Sequence, residues 1–318
     1  MNLLFLKSPV FILGEEELAL LKGVAPDLQV EQVDARSITD EQLRNADAIF
    51  GWPPAERLGI ADKLKWLHTP SAGIDTYADA SVYANPNVVV TRSKDVFNIQ
   101  IAEHVIMLFL ALNRGLASSI LTMQEGKWDR ISGQRELSGS TVLIVGAGAI
   151  GSELAKRLRG FECKVVGVKR DPSVVPPHFN EVHGDDELDA LLPEADYVAL
   201  CLPRTADTQG MFDYRRLCLM KPDALIANIG RGDAIVMEDV DRALREGKIG
   251  GAGLDVTEPE PLPADHPLWG APNVIITSHT SGNSIHANAR RFGVFFDLFK
   301  RFAAGEPMHS TVDFDKGY

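Results

Sequence analysis

Three side chains in the C-terminal half of the sequence could carry out acid–base chemistry on a small carboxylate compound. Arg231 stands in the string NIGRG, Glu260 follows 29 residues later, and His279 follows after a further 19. A guanidinium can bind a carboxylate through two parallel hydrogen bonds, and an imidazole backed by a carboxylate can give a proton to a carbonyl oxygen. These residue types together indicate reduction of a 2-keto acid, with hydride arriving at the carbonyl carbon.

Each of these residues also has an ordinary structural interpretation. An isolated Arg231 could be a surface charge, Glu260 a solvated loop acid, and His279 a hydrogen-bonded structural histidine. Their position after successive predicted strands favours the catalytic interpretation, because open α/β sheets bind ligands at the carboxyl ends of their strands. Glu258 competes with Glu260 for the carboxylate role, and spacing does not separate the two. His104, in a predicted buried helix, is expected to be structural.

A glycine-rich string, GAGAIG at 146–151, indicates where a dinucleotide would bind. It follows the predicted strand Val142–Val145 and opens the predicted helix Ser152–Arg159. The first glycine permits a tight turn, the second lets backbone approach a pyrophosphate, and the third lets helix and strand pack closely. The helix N-terminus would then face the phosphates. Such glycines also occur in ordinary turns, but the flanking elements favour the dinucleotide site.

The residues after the second strand of this predicted domain bear on the choice of cofactor. An NAD site usually places an acidic residue there, whereas this chain has Lys169 and Arg170. Their positive charges would attract the additional phosphate of NADP, so the sequence predicts NADP as cofactor, with weaker NAD binding. The alternative is a solvated basic dipeptide, with Asp171 in the acidic role.

Small residues in the first part of the chain form a possible anion site. The string TPSAGID at 69–75 follows an apolar segment that contains Trp66 and Leu67. Exposed amides of Ala72 and Gly73 could bind a carboxylate, although such a string is more often only a turn.

Short apolar runs alternate with amphipathic segments along the chain, so the predicted fold class is α/β, with parallel sheets covered by helices. In the first part we predict strands and helices at Leu3–Leu6, Ala48–Gly51, Val88–Thr91, Glu15–Leu21 and Thr39–Arg44, with Thr39 as N-cap. Six predicted strands in the second part suit a doubly wound domain: Val142–Val145, Val165–Val168, Tyr197–Leu200, Leu225–Asn228, Gly253–Asp255 and Val274–Thr277.

Two segments are predicted to connect the two parts. Ile99–Leu112 is apolar apart from Gln100, Glu103 and His104, so it is predicted to be a buried helix that joins the domains or packs against a second subunit. Ser284–Ala303 is a predicted amphipathic helix that returns to the first domain, and two crossings would form a hinge over a cleft. The predicted domains are 1–95 with 285–318 for substrate and 96–284 for the dinucleotide.

Composition excludes several classes of function. The chain has 318 residues, 45% of them apolar, and a formal net charge of −12 without a long basic run, so no nucleic-acid partner is expected. Cys163, Cys201 and Cys218 have no metal-ligand spacing and are expected to be reduced core thiols, and no metal is expected. The N-terminus lacks the features of a signal peptide and no stretch is an uncharged span, so we expect no membrane partner and a cytoplasmic location.

Five strings resemble the D-isomer-specific 2-hydroxyacid dehydrogenase family over essentially the whole chain: AGID at 72–75, GAGAIG at 146–151, NIGRG at 228–232, GLDVTEPEPLP at 253–263 and HTSG at 279–282. The resemblance implies a doubly wound Rossmann domain inserted in a smaller flavodoxin-like α/β substrate domain. It implies that Arg231 binds and polarises the substrate and that His279 is the acid and base. It also selects Glu260, rather than Glu258, as the partner of the histidine.

The resemblance implies further site residues and an assembly. The Ala72 and Gly73 amides would bind the substrate carboxylate, and Asp255 would lie near the nicotinamide carboxamide. A homodimer would form through the helix near 99–112. Combined with the glycine motif, the predicted cofactor site comprises Gly146, Gly148, Ala149, Ile150, Gly151, Lys169, Arg170, Leu202, Pro203, Ile229, Gly230, Asp255 and Gly282.

The predicted function is therefore reduction of a small 2-keto acid to the D-2-hydroxy acid, with NADPH preferred. The string GLDVTEPEPLP is similar to glyoxylate and hydroxypyruvate reductases and also to broad 2-keto acid reductases. Phosphoglycerate- or phosphite-type dehydrogenases are the enzymatic alternatives, and a formate dehydrogenase is disfavoured because it would have an amide at position 260. A non-enzymatic, corepressor-like dinucleotide sensor is the alternative from another class.

Overall fold

The computed structural model of the chain describes residues 1–8 and 11–314, so the end of the predicted segment 285–318 lies outside the described residues. The chain divides into two compact units. The first unit consists of Met1–Phe97 together with the segment from Ser284 onward, and the second unit is Asn98–Asn283.

The described residues form twelve strands, numbered in chain order: β1 (Asn2–Lys7), β2 (Gln29–Asp34), β3 (Ala48–Phe50), β4 (Trp66–Thr69), β5 (Val89–Arg92), β6 (Thr141–Val145), β7 (Lys164–Val168), β8 (Glu181–His183), β9 (Tyr197–Leu200), β10 (Leu225–Asn228), β11 (Gly251–Leu254) and β12 (Val274–Ile276). The same residues form nine α-helices: α1 (Glu15–Val24), α2 (Asp40–Asn45), α3 (Asn98–Asn113), α4 (Leu116–Gln124), α5 (Ala149–Leu158), α6 (Leu188–Leu191), α7 (Tyr214–Leu217), α8 (Met237–Arg245) and α9 (Ala287–Ala304).

The first unit contains a five-stranded parallel sheet in the order β2-β1-β3-β4-β5, which is the flavodoxin-like order. Sequence reasoning found β1, β3 and β5 but missed β2 and did not assign β4. The sequence of β2, QVEQVD, is largely polar because this strand lies at the edge of the sheet and is only half covered. Thr39 is the N-cap of α2 as predicted, since its side chain accepts a hydrogen bond from the Gln42 amide.

Aromatic side chains fill one face of this sheet beneath α9. The rings of Phe5 and Phe50 are stacked at 4.4 Å between centroids, and Phe295 of α9 packs against Phe50 and Trp66. His68 of β4 is fully buried in this cluster, where Thr91 Oγ1 and Ser93 Oγ lie within hydrogen-bond distance of its ring nitrogens. Burial, and then the charge of His309, lowers the pKa of His68 to about 3, so the ring is neutral in the folded chain.

The second unit contains a seven-stranded parallel sheet in the order β12-β11-β10-β9-β6-β7-β8. Its first six strands along the chain follow the doubly wound order 3-2-1-4-5-6, and the predicted fold class is confirmed. The prediction of six strands was wrong by one, because β8 is a three-residue edge strand with two charged or titratable residues and no apolar run. β11 ends at Leu254, so Asp255 lies just after the strand that was predicted to include it.

Two helices of this unit differ from their predicted bounds in ways that bear on the site. α5 begins at Ala149, inside the glycine string, and not at Ser152 as predicted. The predicted start lies three residues too far along the chain because glycine is disfavoured inside helices. Here Gly148 is the N-cap and Gly151 lies in the first turn. α3 is buried along most of its length and packs on β10, β11 and β12; a Cβ at Gly253 would lie 2.9 Å from Leu108 Cβ, so glycine permits this approach.

Among the described residues, no single helix is long and apolar enough to cross a membrane; α3 and α4 reach such a length only when counted together across a 66° bend. The cysteines are free, but the prediction that all three lie in the core was wrong. Cys163 is buried and Cys201 is partly buried, whereas Cys218 follows the short helix α7 at the surface and is exposed.

The buried His68 predicts a specific loss of stability in acid. Its pKa is about 3 in the folded chain against 6.5 in its ordinary state, so between these values the unfolded chain binds a proton that the folded chain excludes. The free energy of unfolding should therefore decrease as the pH is lowered through this window. Denaturant titrations at pH 7 and at about pH 5 measure how much unfolding free energy is lost between the two pH values. This loss should be roughly 2 kcal/mol smaller in His68→Asn than in wild type.

The control replaces an exposed histidine in the same way, His178→Asn, and should keep the wild-type loss. Equal losses in wild type and His68→Asn would show that His68 does not contribute to acid sensitivity.

Candidate active site

Three neighbouring strands of the second unit lead into the loops that carry the predicted catalytic residues. The strands β10, β11 and β12 are adjacent and parallel, so their carboxyl ends lie at one edge of the sheet. Arg231 follows β10, Glu260 follows β11, and His279 follows β12. Residues far apart in sequence are thereby brought to the same edge, which is where open α/β sheets bind ligands.

His279 and Glu260 form a hydrogen-bonded pair. His279 Nδ1 lies 2.7 Å from Glu260 Oε1, and the two side chains are 49% and 43% exposed. Because an ionised carboxylate only accepts hydrogen bonds, we assign the proton to Nδ1, which leaves Nε2 as the ring nitrogen that can exchange a proton with a ligand.

The competing acid, Glu258, has a different partner. Its carboxylate lies 2.7 Å from the guanidinium of Arg204. The geometry therefore separates two acids that spacing alone left equivalent, since one contacts the histidine and the other contacts an arginine. Arg204 also lies 2.9 Å from Asp233, so it links the loops after β9, β10 and β11. Sequence reasoning missed Arg204. The available signal was weak: its partner Asp233 lies two residues after Arg231, and its partner Glu258 lies two residues before Glu260.

The backbone of His279 has an unusual conformation that its surroundings maintain. Its φ is +51°, a left-handed value that costs a non-glycine residue about 1 kcal/mol or more. The His279 amide donates to the carbonyl oxygen of Asp255 at 2.8 Å. The carboxylate of Asp255 accepts the amides of Thr280 at 2.9 Å and Ser281 at 3.0 Å. Three consecutive amides of this loop are therefore bound by one residue.

Asp255 itself is almost completely buried. Burial alone would raise its pKa, but hydrogen bonds from Ser281, Thr277 and Thr280 outweigh burial and hold the pKa below its ordinary value. The carboxylate is therefore ionised at neutral pH and serves the loop of His279. The role at the nicotinamide carboxamide that the family resemblance implies stays a prediction.

The NIGRG string forms a tight turn after β10. Asn228 Nδ2 donates to the Arg231 carbonyl oxygen at 2.9 Å, and the Gly230 amide donates to Asn228 Oδ1 at 3.1 Å. A Cβ at Gly232 would lie 2.0 Å from the Thr257 carbonyl oxygen, so only glycine lets this turn approach the loop that leads to Glu260. Arg231 is half-buried, and one of its guanidinium nitrogens donates to the Gly230 carbonyl oxygen at 2.8 Å.

The glycine string after β6 has the geometry that a dinucleotide requires. Gly146 has a φ of +103°, and a Cβ there would lie 2.6 Å from the Cys201 carbonyl oxygen. A Cβ at Gly151 would lie 2.4 Å from the Gly146 carbonyl oxygen, so the third glycine lets α5 pack against the turn. A Cβ at Gly148 would meet no described atom within 4 Å, which leaves space for phosphate oxygens at the N-terminus of α5. The residues present therefore fit a nicotinamide dinucleotide.

The remaining predicted cofactor residues all lie in loops at the carboxyl ends of strands. Lys169 and Arg170 directly follow β7; Lys169 is half-buried and Arg170 is exposed. Leu202 and Pro203 follow β9, and a Cβ at Gly230 would lie only 2.4 Å from the Leu202 carbonyl oxygen, so these two loops touch. Ile229 is buried. The carbonyl oxygen of Gly282 accepts a hydrogen bond from Gln100 at 2.9 Å.

The possible anion loop of the first unit follows β4 and is fixed through its carbonyl groups. The carbonyl oxygens of its four residues, 70–73, each accept a hydrogen bond: Pro70 from Arg291, Ser71 from the Ser93 amide, Ala72 from Arg92, and Gly73 from Ser71 Oγ. Ala72 and Gly73 are half-buried. The loop thus has a defined conformation, and binding of a carboxylate by its amides stays a prediction.

Comparisons with known proteins agree with this arrangement. A family model described as "D-isomer specific 2-hydroxyacid dehydrogenase, NAD binding domain" matches residues 106–281. A protein named glyoxylate reductase, from Thermofilum pendens, is 33% identical over 296 residues, which cover 88% of this chain and 86% of the relative. Other curated relatives are named D-3-phosphoglycerate dehydrogenase and formate dehydrogenase, so similarity alone does not identify the substrate.

Two solved structures resemble the whole chain. A D-isomer specific 2-hydroxyacid dehydrogenase family protein from Aeromonas salmonicida is 33% identical with a TM-score of 0.85, and the match covers 99% of both chains. An NADPH-dependent glyoxylate/hydroxypyruvate reductase from Sinorhizobium meliloti, solved with NADP and sulfate, is 27% identical with a TM-score of 0.82 and covers 100% of this chain and 99% of that one.

These matches confirm the family resemblance and the prediction of an enzyme. The glycine turn at α5 fits the nicotinamide dinucleotide that the matched family domain binds. The chain belongs to the D-isomer specific 2-hydroxyacid dehydrogenase family, whose members are NAD(P)-dependent oxidoreductases acting on small 2-keto and 2-hydroxy acids.

Proposed function

We propose that this enzyme reduces a small 2-keto acid, such as glyoxylate or hydroxypyruvate, to the D-2-hydroxy acid and prefers NADPH. The observation that carries the proposal is the 2.7 Å contact between His279 Nδ1 and Glu260 Oε1. These residues follow the adjacent strands β12 and β11, and Arg231 follows β10, the next strand of the sheet. The names of the Thermofilum relative and of the Sinorhizobium structure support this substrate class.

In the proposed mechanism, Arg231 binds the carboxylate of the keto acid and polarises its carbonyl group. When bound, the reduced nicotinamide supplies the hydride. Protonated His279 gives the proton on Nε2 to the carbonyl oxygen, so the C=O double bond becomes a C–O single bond with a new C–H and a new O–H bond, and the imidazole is left neutral. Glu260 keeps the Nδ1 proton in place and orients the ring throughout. In the oxidative direction the same nitrogen accepts the proton.

The carboxylate at position 260 also bears on the substrate. Oxidation of formate to carbon dioxide transfers a hydride but no proton, and the family resemblance leads us to expect an amide at position 260 in that branch. The acid that contacts His279 in this chain therefore favours a reaction with proton transfer. Binding of the carboxylate by the Ala72 and Gly73 amides belongs to the proposal as an expectation about the first unit.

The proposal predicts different effects for the two acids of the loop after β11. His279→Ala should lower kcat for glyoxylate or hydroxypyruvate by about two to four decades, which is typical for loss of a positioned general acid. Glu260→Gln should lower kcat because the ring loses its negative partner, whereas the matched Glu258→Gln should keep most of the activity because Glu258 contacts Arg204.

The measurement is the rate of NADPH oxidation with a panel of 2-keto acids. A His279→Ala enzyme within tenfold of wild type would show that another group supplies the proton. Wild type that turns over none of the 2-keto acids would overturn the proposed substrate class.

The cofactor preference rests on the two cations after β7. Lys169 and Arg170 stand where an acidic residue would exclude the 2′-phosphate. Asp171, the alternative acidic residue, accepts the Ser173 amide at 3.0 Å, and hydrogen bonds from Ser173 lower its pKa. One carboxylate oxygen is thus engaged in a local turn, which favours a phosphate bound by the cations over a ribose bound by Asp171.

The double variant Lys169→Asp with Arg170→Ser should shift the ratio of kcat/KM for NADPH over NADH toward NADH by at least one to two decades, which is the effect of losing one charge-assisted hydrogen bond to a phosphate of roughly 1.5 to 3 kcal/mol. The control Lys156→Asp with Arg159→Ser makes the same charge change in and after α5 and should leave the ratio within about twofold. An unchanged ratio in the first variant would remove Lys169 and Arg170 from the proposal.

We also propose that the enzyme is a homodimer, with α4 extending the interface predicted at α3. α3 is largely buried inside its own unit, although Met107 is exposed. Leu116, Ile120 and Met123 of α4 are 48%, 42% and 68% exposed and recur every three or four residues, so they form one apolar helix face. Such a face is expected to be covered by a partner.

Charges on this face should dissociate the dimer. We expect Ile120→Glu with Met123→Glu to sediment as a single chain, while wild type sediments at twice that mass. The control Val174→Glu with Val175→Glu places the same charges at two other exposed apolar residues and should stay dimeric. A wild-type enzyme with the mass of one chain would contradict the proposed assembly.

A further inference from the structure

Gln100 and His104 are polar side chains of α3 that contact the segment carrying His279. Gln100 and His104 lie one helical turn apart, and both are largely buried. Gln100 Nε2 donates to the Gly282 carbonyl oxygen at 2.9 Å, and His104 Nε2 lies 3.0 Å from Thr277 Oγ1. Burying a polar group costs free energy unless it is hydrogen-bonded. Here both hydrogen bonds go to the segment 277–282.

The hydrogen bonds from His104 form a chain with one direction. Thr277 Oγ1 donates its single proton to Asp255 Oδ1 at 2.6 Å, because an ionised carboxylate has no proton to give. The Thr277 oxygen must therefore accept the hydrogen bond from His104, which places a proton on His104 Nε2. The chain runs from His104 through Thr277 to Asp255. His104 Nε2 is also only 3.6 Å from Asp255 Oδ1, so the N–H group of the ring further stabilises the negative charge of the carboxylate.

The charge state of His104 fits this direction. Burial lowers the pKa of His104, while the negative charge of Asp255 acts in the opposite sense without overcoming burial. The ring is therefore neutral at neutral pH, and a neutral imidazole with its proton on Nε2 is the tautomer that the chain requires.

The chain ends at the carboxylate that shapes the loop of His279. Asp255 accepts the amides of Thr280 and Ser281 with its side chain, and its carbonyl oxygen accepts the amide of His279. These bonds maintain the left-handed backbone of His279 and hence the direction in which its ring leaves the loop. A rotation of Asp255 would release all the side-chain bonds together.

We propose that His104 is a positioning residue for His279: through Thr277 it fixes the rotamer of Asp255, and Asp255 holds the loop that presents His279 to Glu260. The proposal rests on the proposed role of His279 in proton transfer. His104 touches none of the reacting atoms, so its effect on turnover comes only from placement. A displacement of about 1 Å at a catalytic group can cost on the order of a hundredfold in rate.

Paired substitutions test each link of the chain. His104→Gln keeps an N–H donor near the position of Nε2, whereas His104→Leu removes it. Thr277→Ser keeps the hydroxyl, whereas Thr277→Val removes it at nearly constant volume. We expect His104→Leu and Thr277→Val to lower kcat by roughly tenfold to a hundredfold, with KM for the nicotinamide cofactor within about threefold of wild type. The conservative variants should recover most of kcat.

The two disruptive variants should not be additive. His104→Leu with Thr277→Val should lower kcat little more than either change alone, because both break the same chain. Independent, multiplying effects would show that the residues act separately and would overturn the proposal.

Amide hydrogen exchange gives a readout that does not depend on turnover. A peptide spanning 277–283 contains the amides that Asp255 binds, and these should be protected in wild type and in His104→Gln but exchange faster in His104→Leu. Unchanged protection in His104→Leu would overturn the positioning role even if kcat fell. Wild type that is protected but reduces no 2-keto acid would instead overturn the proposed function and leave the role of His104 in the loop intact.

Discussion

One buried carboxylate, that of Asp255, holds the loop of His279 in shape at the edge of the second unit's sheet. An ionised carboxylate can be buried only when hydrogen-bond donors replace the water that it loses. Here the donors are the Thr277 hydroxyl and the amides of Thr280 and Ser281, all from the segment after β12. Meeting that requirement forces the segment to wrap around the end of β11. The same wrapping sets the left-handed backbone of His279 and brings its ring within 2.7 Å of Glu260.

The parallel sheet makes this convergence possible. Its strands β10, β11 and β12 are neighbours, so loops that begin 26 and 22 residues apart along the chain start side by side. Charges and tight turns then bind these loops to one another. Arg204 contacts acids in the loops after β10 and β11, and Gly232 lets the turn after Arg231 lie against the Thr257 carbonyl group. The edge of the sheet is thus a set of mutually supported loops rather than separate ones.

Much of this architecture could be predicted because its causes are local in sequence. The turn at Gly146 and the packing at Gly151 need glycine for steric reasons, and the strings NIGRG and HTSG follow apolar strands that periodicity reveals. Edge strands were missed for the opposite reason. β2 and β8 are partly covered and polar, so no apolar run marks them, and their partners are chosen by the rest of the sheet.

The sequence by itself determined the α/β class, the family, the glycine turn and the residue types Arg231, Glu260 and His279, because each depends on a short string or a regular pattern. Spacing left Glu258 and Glu260 equivalent and the family resemblance selected Glu260, but only the tertiary structure gave the contacts, Glu260 with the histidine and Glu258 with Arg204. It alone also gave His104 a partner, 173 residues away at Thr277. A hydrogen bond requires a distance of about 3 Å and a fixed direction, and only the folded chain defines these between distant loops.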